Sequence, residues 1–514
     1  MSSATEPATR VGAGILLTRI LGLVRVRVFA HYFGSGQEAD AFNAALKIPN
    51  IIRNLVGEGT LSASFIPVYA GMLERDEREA ARALAQTVAS LLVLLASAGA
   101  LLGYVLAPVI TDVVAPGFAT TTRALTVTLV RIMFPMAGVM ILSGWCLGVL
   151  NTHRRFFLSY AAPTLWNIAQ IATMVALGSW VAGWRGATLV IALGWGALAG
   201  SVLQVAVQLP SAVALAGALR WSIHTRTQGI QRVVRAWIPV VIGAGAWQIS
   251  SLVDTQLGSL AGAGAVAFLA YAQMIAVLPV SLFGVSVAAA ALPELSRDAV
   301  GASAGATRER LADGIRRVSF FIIPSAFVLA AHGSYVVSAL LQTGSFYSDQ
   351  TVVVTGVLAA YSIGLPAQGS VRLLTSGHYA LGDTRTPLRV AGLTVALAAA
   401  LAVLFMQSLG AAGIALGSAV AAYLNMSLNY GYLVRRTGPI LGSKERMAIA
   451  ATIAASVLAT AAATLVGRTM PAEEIWLGAA VTLGTFGIVY FAAAALLGHP
   501  DARRLVSRAG RSSA

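Results

Sequence analysis

Basic side chains stand inside the first two apolar runs of the chain, where hydrophobic residues are expected. The cations of these runs are Arg19, Arg25, Arg27, Lys47 and Arg53, and the accompanying acids are Glu58 and, near the outer mouth, Asp40. A charge at the centre of a bilayer costs at least about 2.5–3.5 kcal/mol, so such residues usually face a water-filled cavity. Internal ion pairs cannot neutralise this set. The excess of cations indicates an anionic ligand, and the planar fork of arginine matches phosphate oxygens.

The individual cations admit different roles. Arg19 lies roughly two turns inside its run and Arg25 lies near mid-depth, which favours ligand contact for both. Arg27 is close to the outer end, where its side chain can reach the headgroups instead. Arg53 and Glu58 can form a local pair that fixes the helix, although ligand contact is favoured for Arg53.

One acid, Asp254, is expected to be buried in the second half of the chain. It can bind a coupling cation, take up a proton or pair with an arginine of the cavity, and the sequence does not choose among these roles. Neither a Walker A pattern nor an HExxH motif is present, and the six histidines are scattered. The single cysteine, Cys146, excludes an intrachain disulfide and a cysteine-based metal cluster. We therefore predict no catalytic residues and no metal site.

Long apolar segments must position these residues. The chain has 514 residues, of which 57% are hydrophobic and 11% charged, whereas soluble domains carry about 25% charged residues. The apolar runs are unbroken and long enough for helical spans of roughly 20 residues, which excludes the alternating pattern of a membrane β-barrel. The fold class is therefore an all-α polytopic membrane protein. The fourteen predicted spans are 11–33, 41–70, 83–110, 124–150, 156–182, 187–209, 236–260, 264–293, 317–343, 350–374, 388–407, 411–434, 447–467 and 475–498.

Basic residues are concentrated in every second loop between the predicted spans. With the N-terminus placed in the cytoplasm, 26 of the 35 Lys and Arg residues fall on the cytoplasmic side, and only three fall on the other. This bias predicts a protein of the inner membrane with both termini cytoplasmic, and it explains the net charge of +15 without a nucleic-acid partner. The predicted organisation is a first lobe at 1–209, a basic cytoplasmic linker at 210–235, a second lobe at 236–434, and two further spans with a basic tail at 435–514.

The segment 18–69 carries a long run of spaced motifs. It reads TRILGLVRVRVFAHYFGSGQEADAFNAALKIPNIIRNLVGEGTLSASFIPVY. Further motifs are APGFA at 115–119, LNT at 150–152, APTLWN at 162–167, LPELS at 292–296 and GDTRTP at 382–387. Together they resemble the MurJ (MviN) family of lipid II flippases, within the multidrug/oligosaccharidyl-lipid/polysaccharide exporter superfamily.

The resemblance implies two six-helix lobes around a cationic cavity, and two C-terminal helices that form a groove for a lipid tail. It implies that Arg19, Arg25 and Arg53 bind the diphosphate of lipid II, with Asp40, Lys47 and Glu58 as polar partners. Membrane lipids and peptidoglycan polymerases are further implied partners. No cofactor is implied, and sodium, a proton or the membrane potential remain open as the energy source.

The chain departs from the family pattern in the second lobe. Many members carry an arginine early in the eighth span, where this sequence has Met274. Arg372 or Arg27 is then expected to compensate, or the substrate differs. Asp254 is similar to a sodium ligand of some members, but the eleventh span has neither the Asn nor the Asp that completes their site.

The expected activity is transport of lipid II by alternating access, not catalysis. One alternative is export of another polyprenyl-linked oligosaccharide or cation-coupled export of drugs, although a cavity for cationic drugs would be acidic. A membrane glycosyltransferase or phosphatase would need clustered acids or histidines at a membrane face. A non-transporting cell-wall scaffold would tolerate loss of the cavity charges.

Overall fold

The regular elements of the chain are helices throughout residues 5–217, 220–223, 227–300, 304–471 and 474–504, which the computed structural model describes. The first half contains α1 (Thr5–Phe33), α2 (Gln37–Ala45), α3 (Lys47–Val56), α4 (Glu58–Glu74), α5 (Arg78–Val105), α6 (Ala107–Val114), α7 (Thr120–Thr152), α8 (Phe156–Ala161), α9 (Pro163–Val175), α10 (Gly186–Ala216) and α11 (Gln228–Leu260). The second half contains α12 (Ala265–Pro279), α13 (Val285–Val300), α14 (Ala304–Leu341), α15 (Ser348–Ala380), α16 (Arg385–Leu409), α17 (Ala411–Thr437), α18 (Ser443–Gly467) and α19 (Ile475–Leu496). The all-α fold class is thereby confirmed.

Ten helices of the described residues are long and apolar enough to cross a membrane. They confirm a multi-pass membrane protein. The first, second, fifth and seventh predicted spans are helical but are not among these ten, and the number fourteen stays a prediction. The fifth span is divided into α8, α9 and a π-helical turn at Ala176–Trp180.

The second predicted span is divided into α2, α3 and α4. The break between α3 and α4 falls at Gly57, whose backbone has φ −92° and ψ −127°. A Cβ atom there would lie 2.5 Å from the carbonyl oxygen of Arg53, which no side chain tolerates. The chain therefore turns at this glycine, immediately after the helix that carries Lys47 and Arg53.

The chain forms two compact units. One comprises residues 1–267 and 343–346, and the other comprises residues 268–342 and 347–514. Helix α11, which we predicted to open the second lobe, belongs to the first unit because it packs on α3 and α4. The predicted lobe boundaries stay a prediction. Within the predicted linker 210–235, α10 continues to Ala216 and α11 begins at Gln228.

The first unit has an apolar core beneath its charged residues. Phe65, Tyr69 and Trp145 are fully buried there, together with Cys146. The indole N–H of Trp145 donates to the carbonyl of Ala85 at 3.0 Å, which ties α7 to α5. Helices α3 and α4 pack on α7 at this core.

Candidate functional site

Arg25 lies inside the first unit, on the side of α1 that packs against α9. Its guanidinium carbon lies 4.9 Å from the ring centroid of Trp166, and its Nη1 donates to Oε1 of Gln170 at 3.3 Å. Its Nε is buried and has no hydrogen-bond partner among the described residues. The side chain is held in place by a ring and an amide, and no carboxylate of the described residues forms an ion pair with it.

Arg53 stands near the end of α3 and is half-buried. Its Nη1 contacts the sulfur of Met140 at 3.8 Å, which is a weak acceptor. Its Nε, like that of Arg25, is buried without a hydrogen-bond partner in the described part of the chain. The two guanidinium groups lie close enough to repel one another electrostatically.

Lys47 and Asp254 carry opposite charges and interact within this unit. Lys47 opens α3, Asp254 lies on α11, and the two charges attract one another. Both side chains are half-buried. Of the three roles left open for Asp254, this geometry supports pairing with a cation of the cavity, although the partner is a lysine and not an arginine.

Asp40 is 2% exposed and binds backbone amides. The N–H of Gly264 donates to one carboxylate oxygen at 2.6 Å, and the N–H of Ala267 donates to the other at 2.8 Å. Asp40 therefore caps the first turn of α12 from a distant part of the sequence, and its substrate role stays a prediction.

The remaining predicted residues are more dispersed. Arg19 is exposed on α1, one residue after Thr18, whose hydroxyl donates to the carbonyl of Tyr160 at 3.0 Å. Arg27 is half-buried on the same helix. Glu58 begins α4, and its side chain lies outside the described part. Arg372 is exposed on α15 of the other unit.

Three residues of the Arg25–Arg53 region were not predicted as site residues. They are Trp166, Gln170 and Met140, and none of them is ionisable. Trp166 lies in the APTLWN motif and Gln170 follows one turn later on α9. That motif was the available signal, because a tryptophan and an amide one turn apart share a helix face.

The described His, Cys, Asp and Glu side chains do not form a metal centre. Among the described residues, no group of three His, Cys, Asp or Glu side chains is placed to hold a metal ion. The Arg25–Arg53 region presents donors and positive charge, which suits an oxyanion.

Comparison with known proteins places this geometry in a family. The model of the family "Lipid II flippase MurJ" matches residues 29–494. A probable lipid II flippase MurJ of Rhizobium meliloti (strain 1021) is 33% identical over 89% of this chain and 86% of its own length. This chain belongs to the MurJ family.

Other relatives agree with that membership. The lipid II flippase MurJ of Burkholderia cenocepacia is 32% identical over 82% of both chains. A solved lipid II flippase MurJ in an inward closed conformation has the same fold, with a TM-score of 0.77, 23% identity and coverage of 93% of this chain and 97% of that one. An inward-facing multidrug transporter of the MATE family aligns with a TM-score of 0.70 at 13% identity, over 84% of this chain and 98% of that one.

Proposed function

We propose that the protein is a lipid II flippase of the bacterial inner membrane, a transporter whose substrate diphosphate binds Arg25 and Arg53. The observation that carries the proposal is the pair of neighbouring guanidinium groups, each with a buried Nε that lacks a partner in the described chain. Two like charges in an apolar unit raise the energy of the empty site. A dianionic group between them supplies the missing acceptors and removes the repulsion.

The orientation follows from the basic loops. We infer that both termini lie in the cytoplasm, because the loops on that side carry most of the Lys and Arg residues. Lipid II is then taken from the inner leaflet and delivered to the outer leaflet, where peptidoglycan polymerases use it.

The decisive experiment replaces Arg25 with alanine. A charge-assisted contact to an oxyanion contributes roughly 1.5–3 kcal/mol, so binding of lipid II should weaken about 10- to 150-fold. Complementation of a flippase-depleted bacterium should fail while the protein is inserted at a normal level. Arg25→Lys should rescue only partly, because lysine keeps the charge but loses the planar fork.

Arg131→Ala is the matched control. Arg131 also stacks on an aromatic ring, at 5.3 Å from the centroid of Tyr104, but it is exposed. Its loss should leave complementation intact. The stability readout separates binding from folding: Arg25→Ala should not lower the unfolding midpoint, because the lost Trp166 contact is offset by relief from Arg53. A degraded or destabilised Arg25→Ala protein would assign Arg25 a packing role instead.

We further propose that Asp254 takes part in energy coupling through its attraction to Lys47. Asp254→Asn should reduce transport or change its dependence on pH or sodium, because it leaves the charge of Lys47 unopposed. Flipping measured in vesicles across pH and sodium concentration tests this. Unchanged transport under all conditions would leave the pair with a structural role only.

A further inference from the structure

A second basic site lies in the first unit, where α7 ends and the chain turns into α8. The turn is closed by backbone bonds from the Arg155 N–H to the Leu150 carbonyl at 2.8 Å and from the Arg154 N–H to the Asn151 carbonyl at 3.1 Å. Arg154 has φ +58°, the left-handed conformation that glycine usually supplies at this position of a helix end. An arginine therefore occupies a backbone position that strains it.

This turn borders a cavity of about 630 Å³, which we call the α7–α8 cavity. The basic turn 153–155 lines part of the cavity. Apolar residues, which we call the apolar wall, line the rest together with Ser211 and include Phe157, Leu158, Ala214 and Leu215. The cavity thus combines a cationic rim with a hydrocarbon-like surface.

The cations of the rim are available to a ligand. Arg154 and Arg155 are exposed, and neither forms an ion pair with a described residue. His153 is fixed from behind, since its Nε2 lies 3.2 Å from the hydroxyl of the buried Tyr69. Burial lowers the pKa of His153, so the rim carries the two arginine charges at neutral pH.

The depth of the cavity suits a lipid headgroup. Helix α7 has 33 residues and α10 has 31, so at 1.5 Å per residue each is about 45–50 Å long. The hydrocarbon core is only about 30 Å thick. The ends of both helices therefore reach the headgroup layer, where basic pockets between helices bind acidic lipids.

We propose that the α7–α8 cavity binds an anionic phospholipid, with its phosphate on Arg154 and Arg155 and its acyl chain against the apolar wall. This ligand differs in place and kind from the diphosphate at Arg25 and Arg53. Phe157 is 54% exposed, which leaves an aromatic surface for the chain to cover.

Arg154→Gly tests the proposal because it removes the charge and relieves the backbone at once. Delipidated full-length protein is titrated with phosphatidylglycerol and followed by native mass spectrometry. The variant should bind phosphatidylglycerol about tenfold more weakly or worse, while its unfolding midpoint is unchanged or raised. Equal binding by the variant and the parent protein would overturn the proposal.

Asp76→Gly is the matched control, because Asp76 also has a left-handed backbone, with φ +59°, but carries no cation. It should leave phosphatidylglycerol binding unchanged, and a tenfold loss there would overturn the assignment. The parent protein should bind phosphatidylcholine more weakly than phosphatidylglycerol. Phosphatidylcholine should bind equally to the parent protein and to Arg154→Gly. Water-soluble glycerophosphate should not compete, and full competition would show that the apolar wall is unused and refute a lipid ligand.

Discussion

Asp40 offers the sharpest test of how charge is used inside the first unit. Asp40→Ala removes the acceptor of the amides of Gly264 and Ala267 and leaves these two donors buried. Loss of a helix cap costs about 0.5–2 kcal/mol, and each buried unpaired donor costs about 1–3 kcal/mol. The two estimates describe the same lost hydrogen bonds and are not added, so we expect a total destabilisation of about 2–4 kcal/mol.

The protein contains its own reporter for this experiment. Cys146 is the only cysteine of the chain and is fully buried in the core of the first unit. A thiol-reactive dye therefore reports the unfolding of that unit. At roughly 2 °C per kcal/mol for a unit of this size, Asp40→Ala should lower the midpoint by about 4–8 °C. The unfolding midpoint of Asp40→Asn should lie between those of the parent protein and Asp40→Ala, because an amide oxygen can still accept one N–H.

Asp112→Ala is the control for a lost carboxylate. Asp112 pairs with Arg123 at 2.5 Å, and both side chains are substantially exposed. Exposed pairs contribute at most about 1 kcal/mol, so the midpoint should move by no more than about 2 °C. Equal midpoints for Asp40→Ala and Asp112→Ala would refute the capping role and return Asp40 to the candidates for substrate contact.

Three further outcomes are expected. External cysteine labelling of intact cells should modify introduced cysteines near positions 36 and 346 but not 225, and labelling at 225 would reverse the proposed orientation. Gly417→Ala should destabilise the protein by about 1–3 kcal/mol, because the new Cβ would lie 2.6 Å from the backbone nitrogen of Ala402. Gly431→Ala on the same helix meets nothing within 4 Å and should be neutral or stabilising in the same thermal assay. The C-terminal segment should loosen as the pH falls below about 6.5, the unfolded pKa of histidine, because burial lowers the pKa of His499 and favours its neutral form. That contribution is fully present above the unfolded pKa and is lost on acidification. Hydrogen exchange at residues 497–504 should detect it, and His499→Phe, which keeps the 4.5 Å stack on Phe320, should abolish the pH dependence.

The helices were predictable because each apolar run is long and ends at charged or glycine-containing loops. The positions at which the second predicted span, 41–70, is broken were not predictable. Neither proline of this run marks a break, since Pro49 occupies the first turn of α3 and Pro67 lies within α4. The chain instead breaks at Leu46 and Gly57. Proline is tolerated in a first helical turn, where its missing N–H has no partner to lose.

The site was predictable in its charges but not in its partners. Arginine at membrane depth is visible in any hydropathy profile, and Arg25 and Arg53 were found this way. The contacts of Arg25 with Trp166 and Gln170 join residues more than 140 positions apart. The capping of Gly264 and Ala267 by Asp40 spans more than 220 positions. No local period encodes such pairs, which arise only when the helices pack.

The buried charges of the first unit divide by whether the protein supplies their partners. Asp40 accepts hydrogen bonds from two backbone amides. Losing its carboxylate leaves these donors buried and unpaired, so substitution of Asp40 should affect stability first. Arg25 and Arg53 repel one another electrostatically, and each has a buried Nε atom without a partner among the described residues. Substitutions at these two arginines should therefore spare stability and remove activity. Asp40→Ala and Arg25→Ala should then have opposite effects, the first lowering the unfolding midpoint and the second abolishing complementation at a normal midpoint.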